Sequence, residues 1–183
     1  TFHVHAPTFR HEMFADYKGT RKPMAEELRQ QVPVIKDVLR AMHIEVIEKA
    51  GLEADDLLGT LSHRCEEKGM DVSIISGDRD TLQLATEHIK IRIPKTKQGK
   101  TEVEDYYAAD VQERYGVTPK EFIDVKALMG DTADNIPGVP GVGEKTATKI
   151  IQQYQTIENA YEHVDELKPP RASKNLKEFW EQA

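Results

Sequence analysis

Residues 130–150, GDTADNIPGVPGVGEKTATKI, constrain the fold of this chain more than any other stretch. Glycine and proline at this density break regular structure, so the chain must turn sharply here. Two carboxylates three residues apart, Asp131 and Asp134, open the stretch and suit a cation. Gly138, Gly141 and Gly143 then let the backbone approach a ligand closely, and a helical pattern resumes near Gly143. Free N–H groups at a helix start favour an anion, to which Lys145 and Lys149 add positive charge. Such a grip suits a phosphate backbone and is indifferent to base sequence. The same residues also suit a plain turn between packed helices.

Two more acidic groups lie upstream. Glu53-Ala54-Asp55-Asp56 opens a segment in which Ala54, Leu57, Leu58, Leu61 and Cys65 share one helical stripe. Neighbours on a helix stand about 100° apart, so these three acids converge only by crowding the helix end. Acids at that position also serve as ordinary caps and dipole partners. Residues 71–76 read as a buried strand that runs into Gly77-Asp78-Arg79-Asp80. Carboxylates just past a strand end stand where open parallel α/β sheets hold their ligands. No group has a His or Cys at ligand spacing, which points to Mg²⁺ or Mn²⁺ on oxygen ligands from Glu53, Asp55, Asp56, Asp78, Asp80, Asp131 and Asp134. Crowded carboxylates raise one another's pKa, so a shared site demands cations. Two ions about 4 Å apart can activate water and hold a phosphodiester.

The net charge of −7 argues against nucleic acid only until it is located. With those seven carboxylates assigned to metal, the rest of the chain is balanced. The segment FRHEMFADYKGTRKP interleaves Arg10, Lys18, Arg21 and Lys22 with Phe9, His11, Phe14 and Tyr17, a mixture suited to phosphate contact and base stacking. Residues 24–43 repeat Leu28, Val32, Ile35, Leu39 and Met42 at helical spacing, with a kink expected at Pro33. Residues 1–5, 44–48 and 89–93 read as strands. The basic run around Arg92, Lys95 and Lys97 suits a solvated face or a phosphate contact. Residues 102–105 lead into helical patterns at Ala108–Tyr115 and Pro119–Met129, and the polar tail after Pro170 is helical in character, with Trp180 as a docking residue. No apolar run approaches the ~20 residues of a membrane span, and the chain opens without a signal-like apolar segment. A single cysteine, Cys65, excludes an internal disulfide and agrees with a reducing compartment.

Taken in order, Glu53-Ala54-Asp55-Asp56, Gly77-Asp78-Arg79-Asp80, Gly130-Asp131-Thr132-Ala133-Asp134-Asn135 and the turn from Pro137 to Lys145 resemble the flap endonuclease family, in particular the 5′-nuclease domains of bacterial DNA polymerase I. The resemblance runs over nearly the whole length. It implies an α/β fold with a PIN-like parallel sheet and flanking helices, its N-terminal strand missing, followed by a helical subdomain carrying a helix-hairpin-helix. The nuclease core is then expected over residues 1–116 and the DNA-binding subdomain over 117–183. It implies two Mg²⁺ or Mn²⁺ ions, a K⁺ ion on hairpin carbonyls, and Lys18 and Arg21 at the scissile phosphate. Arg10, Tyr17, Lys22, Gly138, Gly141, Gly143, Lys145, Thr146 and Lys149 are expected on DNA. The implied reaction is exonucleolytic or flap-endonucleolytic cleavage of a 5′ flap or nicked duplex in replication and repair. The setting would be the bacterial cytoplasm, away from membranes, with the chain a monomer or part of a longer polymerase chain.

Two departures accompany the resemblance. The family's domain starts with a further stretch that includes a central strand bearing an aspartate, expected upstream of Thr1. In Phe2-His3-Val4-His5-Ala6-Pro7, His3 occupies a position where the family has a metal-site aspartate. Neutral imidazole brings no charge and is a poor Mg²⁺ ligand. A second expectation is therefore a catalytically impaired fragment that only binds duplex DNA. A third, a PIN-type ribonuclease, does not call for the helix-hairpin-helix.

Overall fold

The computed structural model describes residues 1–4, 6–97 and 99–180. The chain forms two compact units, Thr1–Leu61 and Ser62–Ala183.

The first unit holds helix α1 (Phe9–Met13), helix α2 (Glu26–Ala41) and the start of helix α3 (Ala54–Glu66), in which the division falls. The strands expected over 1–5 and 44–48 reduce to one parallel bridge between Phe2 and Glu48, with the Phe2 N–H donating to the Ile47 carbonyl at 3.0 Å. His5, within the first of these, lies outside the described residues. Lys36 on α2 fastens this bridge by pairing with Glu48 while its ammonium stands 5.1 Å from the Phe2 ring. Helix α2 runs through Pro33 uninterrupted, yet no residue of it is buried. Its expected inward stripe is open at Leu28, Ile35 and Met42. In α3 the stripe is buried fully only at Leu57, and the polar Ser62 is buried as well.

The second unit is built on a three-stranded sheet in the order β1 (Val72–Ile75), β2 (Ile89–Lys97), β3 (Lys100–Tyr106). Strand β1 pairs with β2 in parallel, but β2 and β3 form an antiparallel pair, so the small sheet is mixed rather than wholly parallel. Alternation buries Ile89, Ile91 and Ile93 on one face of β2. Residues expected to lead into a helix instead form β3, because its acids match the basic run opposite. Arg92 Nε lies 2.9 Å from Asp105, Lys90 Nζ 3.5 Å from Asp105, and Lys95 Nζ 2.7 Å from Glu104. Arg92 and Lys95 of the basic run are thus paired across the sheet by the chain itself, while Lys97 stands opposite Lys100.

Helices α4 (Ala108–Tyr115), α5 (Pro119–Met129), α6 (Glu144–Tyr154), α7 (Ile157–Glu162) and α8 (Pro170–Glu178) complete this unit. Helix α5 starts on a capping box: Thr118 Oγ1 accepts from the Glu121 N–H at 3.2 Å, and Glu121 Oε2 accepts from the Thr118 N–H at 2.7 Å. Val125 and Leu128 of α5 pack in a core shared with Val111, Ala147, Ile150 and Ile151. Helix α5 therefore delivers Gly130 to the turn at a fixed place. Trp180 packs on Tyr161 with ring centres 4.2 Å apart and the rings tilted by 33°, giving the tail the docking contact expected of it.

Candidate metal and phosphate site

In the first unit, Glu53 precedes α3 and Asp56 stands in its first turn, where its Oδ2 accepts the Glu53 N–H at 2.9 Å. Arg10 of α1 takes both oxygens of Asp56, at 2.9 and 2.8 Å, a bidentate pair that holds α1 against the helix start. The Arg10 hydrogen bond, opposed by burial, holds the Asp56 carboxyl below its ordinary range. Glu53 is 4% exposed, and Lys18 Nζ donates to its Oε2 at 2.5 Å. Burial pushes the Glu53 carboxyl up, but the Lys18 bond and charge, a Tyr17 hydrogen bond and His3 together leave it lowered. With both folded values depressed, these groups support stability above the ordinary carboxylate range and lose that support as the pH falls through their folded values.

His3 Nε2 stands 3.7 Å from Glu53 Oε2, so the histidine at the expected aspartate position does lie beside a carboxylate of the acidic group. His3, His11, Lys18, Arg21 and Glu53 line a cavity of about 990 Å³. Tyr17 is buried, with His11 edge-on at 5.3 Å, and is not presented for base stacking as expected. Arg10, expected on DNA, is engaged with Asp56. Arg21, Lys22 and Asp55 are exposed.

The second unit assembles the other two acidic groups. Asp78 caps the 3-10 helix Arg79–Leu84, its Oδ1 accepting the Asp80 N–H at 2.9 Å. Asp131 Oδ1 accepts the N–H groups of Ala133 and Asp134, at 2.7 and 3.2 Å. Between them stands Lys126 of α5, whose Nζ is 3.0 Å from both Asp80 Oδ1 and Asp131 Oδ2. Burial raises the Asp80 pKa, and the charges of Asp78 and Asp131 raise it further against the pull of Lys126. Burial also pushes Asp131 up, but Lys126 and the two backbone donors outweigh it and leave its carboxyl lowered. Two carboxylate oxygens thus converge on one positive centre, and burial, with the charges of Asp78 and Asp131, still leaves the Asp80 carboxyl raised. Hard oxygen donors in that electrostatic condition fit a divalent cation. Among the described residues no three His, Cys, Asp or Glu side chains are drawn together in a ready-made cage. In this structure Arg10, Lys18 and Lys126 supply the neutralising charge.

Asp131 leads directly into the glycine turn. It exchanges two backbone hydrogen bonds with Ile136, at 2.8 and 2.7 Å, closing a loop that presses Gly130 against Gly138. Gly138 has φ +59°, and a Cβ there would stand 2.3 Å from the Gly130 nitrogen. The Val139 N–H donates to the Leu128 carbonyl at 2.8 Å, and Val139 and Val142 are buried, so the turn is anchored on both sides. Gly143 is the N-cap of α6 and offers no side chain to cap it. Lys145 and Lys149 are exposed and Thr146 half-buried on the same helix. From α8, the Asn175 amide donates to the Pro140 carbonyl at 2.6 Å, and the Arg171 guanidinium lies against Gly141.

Lys126 escaped sequence reasoning. A lone lysine on a helix reads as solvated, and its one signal is a place between buried Val125 and Leu128, five residues before Asp131.

Residues 1–116 match the model for the 5′-3′ exonuclease N-terminal resolvase-like domain, and residues 117–183 that for the 5′-3′ exonuclease C-terminal SAM fold. The chain is 47% identical over 176 residues to DNA polymerase I of Bacillus caldotenax and 46% identical to that of Bacillus subtilis, covering 96% of this chain in each case. It spans about a fifth of the length of these curated relatives, 20% in both. Among solved structures it is similar to T5 5′-exonuclease with bound zinc, with a TM-score of 0.80 and 25% identity over 99% of this chain and 68% of that one. A T5 D15 flap endonuclease complex with DNA and metal ions gives a TM-score of 0.79 at 24% identity, covering 99% and 68% of the two chains, a likeness of fold.

Proposed function

This chain belongs to the 5′-3′ exonuclease family, and on that premise we propose that it hydrolyses DNA phosphodiesters near 5′ ends and flaps with the help of divalent cations. The observation that carries this reading is the convergence of Asp80 and Asp131 on one positive centre at the entrance to the glycine turn. Asp78, Asp80, Asp131 and Asp134 would hold one Mg²⁺ or Mn²⁺ ion, and Glu53, Asp55 and Asp56 would contribute to a second. A bound ion supplies Lewis acidity to the phosphodiester and to the attacking water. Lys18 and Arg21 place positive charge on the cavity that Glu53 lines, suited to orienting the scissile phosphate. The uncapped N–H groups of α6, with Lys145, Thr146 and Lys149, take the phosphates of the duplex, and the turn carbonyls suit a K⁺ ion. Lys22 adds a further phosphate contact.

The division into a nuclease core over 1–116 and a DNA-binding subdomain over 117–183 belongs to the same reading. So does a place within a longer polymerase chain of the bacterial cytoplasm.

Thermal melting tests the metal half directly. Mg²⁺ or Mn²⁺ at a hundredfold excess over its Kd is expected to stabilise the chain by about 2.7 kcal/mol. Asp131→Asn keeps an acceptor for the two backbone donors and is expected to cancel that gain. The folded pKa of Asp80 is raised, so its support for stability is full below the unfolded value and lost as the pH rises through the folded one. A cation offsets that loss, so the shift should be larger at neutral pH than in acid. A wild-type melting curve that no divalent ion moves would rule out this reading of the acidic pair.

One set of contacts favours a second reading, a duplex-binding module without turnover. Arg10 and Lys18 already engage Asp56 and Glu53, and His3 stands beside them. Salt-dependent DNA affinity without metal-dependent cleavage would mark it.

A further inference from the structure

Lys126 stands in the place that an ion shared by Asp80 and Asp131 would take. Its Nζ lies 3.0 Å from Asp80 Oδ1 and 3.0 Å from Asp131 Oδ2. An ammonium is a compact point charge with three donors and suits two carboxylate oxygens at once. A divalent ion calls for the same oxygens, at about 2.0–2.1 Å for Mg²⁺, and repels a charge of its own sign. The ammonium and an ion on both oxygens therefore exclude one another. Asp131 does not depend on the lysine for its aim, because its Oδ1 is fixed by the Ala133 and Asp134 N–H groups at 2.7 and 3.2 Å. An exchange of the two cations also has access and room. The side chains of Lys126, Asp80 and Asp131 are 25%, 38% and 23% exposed, so an ion reaches the oxygens from solvent and the departing ammonium is not stranded without water. Lys126 and Asp80 line a cavity of about 110 Å³, ample for the lysine tip. Its flexible stem lets that tip move while buried Val125 and Leu128 keep helix α5 in place.

We propose that Lys126 is a resident counter-cation, a positioning residue that holds Asp80 and Asp131 as a pair in the ion-free protein and yields its place when a divalent ion enters. The fold is thereby spared two crowded carboxylates without a neutralising charge, and the ion binds against a competitor tethered beside it. This inference rests on the metal reading above and goes beyond it by giving Lys126 a part in setting the affinity for the ion.

The test is Lys126→Met, which keeps an unbranched apolar stem and removes the charge. The full chain is titrated with Mn²⁺ by calorimetry and melted with and without the ion, beside wild type, Lys126→Arg and Asp131→Asn. Without the ion, Lys126→Met is expected to melt about 2–4 °C below wild type. Its Mn²⁺ affinity is expected to rise about tenfold, the weight of one charge-assisted hydrogen bond that the ion no longer displaces. Lys126→Arg, whose fork grips carboxylates more firmly, is expected to bind Mn²⁺ more weakly than wild type. A lower Mn²⁺ affinity in Lys126→Met assigns the lysine to the ion-bound site and overturns the exchange. An unchanged affinity there, with loss of affinity in Asp131→Asn, overturns it too and leaves the metal reading standing. Should Lys126→Met fail to fold, Lys126→Arg decides, and an affinity equal to or above that of wild type overturns the proposal. If wild type takes up no Mn²⁺, or Asp131→Asn binds it like wild type, the metal reading fails and takes this inference with it.

Discussion

Replacing Asp78 with alanine is expected to abolish cleavage of a flap or nicked duplex while leaving affinity for the duplex intact. The two effects separate because, on the proposed reading, the residues that would hold DNA and those that would hold the cation are different. Gly138, Gly143, Lys145 and Lys149 keep their places when Asp78 changes. Cleavage should fall by more than about a hundredfold, beyond the range seen when only an outer partner of a metal ligand is removed. Asp78 also caps the 3-10 helix through the Asp80 N–H, so alanine alone would confuse lost charge with lost structure. Asp78→Asn answers this: it keeps the capping oxygen and removes only the negative charge. Both variants should fail in single-turnover cleavage and bind labelled duplex like wild type. Full cleavage by Asp78→Asn would remove Asp78 from the metal site.

The second large effect is on folding. Gly138→Ala places a Cβ 2.3 Å from the Gly130 nitrogen, 2.6 Å from the Met129 carbonyl carbon and 2.7 Å from the Gly130 Cα. All three are backbone atoms, so no rotamer change relieves the clash. The residue also sits at φ +59°, which costs an L-residue roughly 1–2 kcal/mol. With overpacking of about 1–3 kcal/mol, the expected loss is about 2–5 kcal/mol, a large share of a typical domain's stability. Urea unfolding measures it, and duplex affinity should fall with it. Gly143→Ala is the matched control. A Cβ at Gly143 meets nothing within 4 Å, so its cost should stay below about 1 kcal/mol. Equal costs at the two positions would contradict the turn geometry described above.

These expectations rest on features that were unequally legible in the sequence. The α5, turn and α6 segment was readable because its signals are local: Thr118 and Glu121 start a helix, Gly130 ends it, and Gly143 opens the next. Strand β3 was not readable, because Glu102, Glu104 and Asp105 interrupt apolar alternation and earn their place only opposite Lys95, Arg92 and Lys90 of β2. The helical spacing of α2 is plain in the sequence, but spacing says nothing about what covers a stripe, and Leu28, Ile35 and Met42 lie open.

The acidic groups show the same limit. Their residue types announced a need for positive charge, and that need is visible in the structure. Its suppliers were not visible in the sequence. Arg10 is 46 residues from Asp56 and Lys18 is 35 from Glu53, while Lys126 meets Asp80 only because α5 packs beside the 3-10 helix. Such pairings are made by tertiary structure and leave no trace in spacing. Tyr17 illustrates the converse: an aromatic among basic residues suggests stacking on bases, yet burial turns its hydroxyl toward Glu53.

The central claim, that these carboxylates serve metal-dependent hydrolysis of DNA at 5′ flaps, is tested most directly by incubating the chain with a duplex bearing a labelled 5′ flap. Mg²⁺ or Mn²⁺ is withheld, added, and then withdrawn with EDTA. The predicted result is release of the flap only while the ion is present, and none from a matching 3′ flap. A chain that binds the duplex with steep salt dependence yet leaves the flap uncut under each ion would contradict the claim.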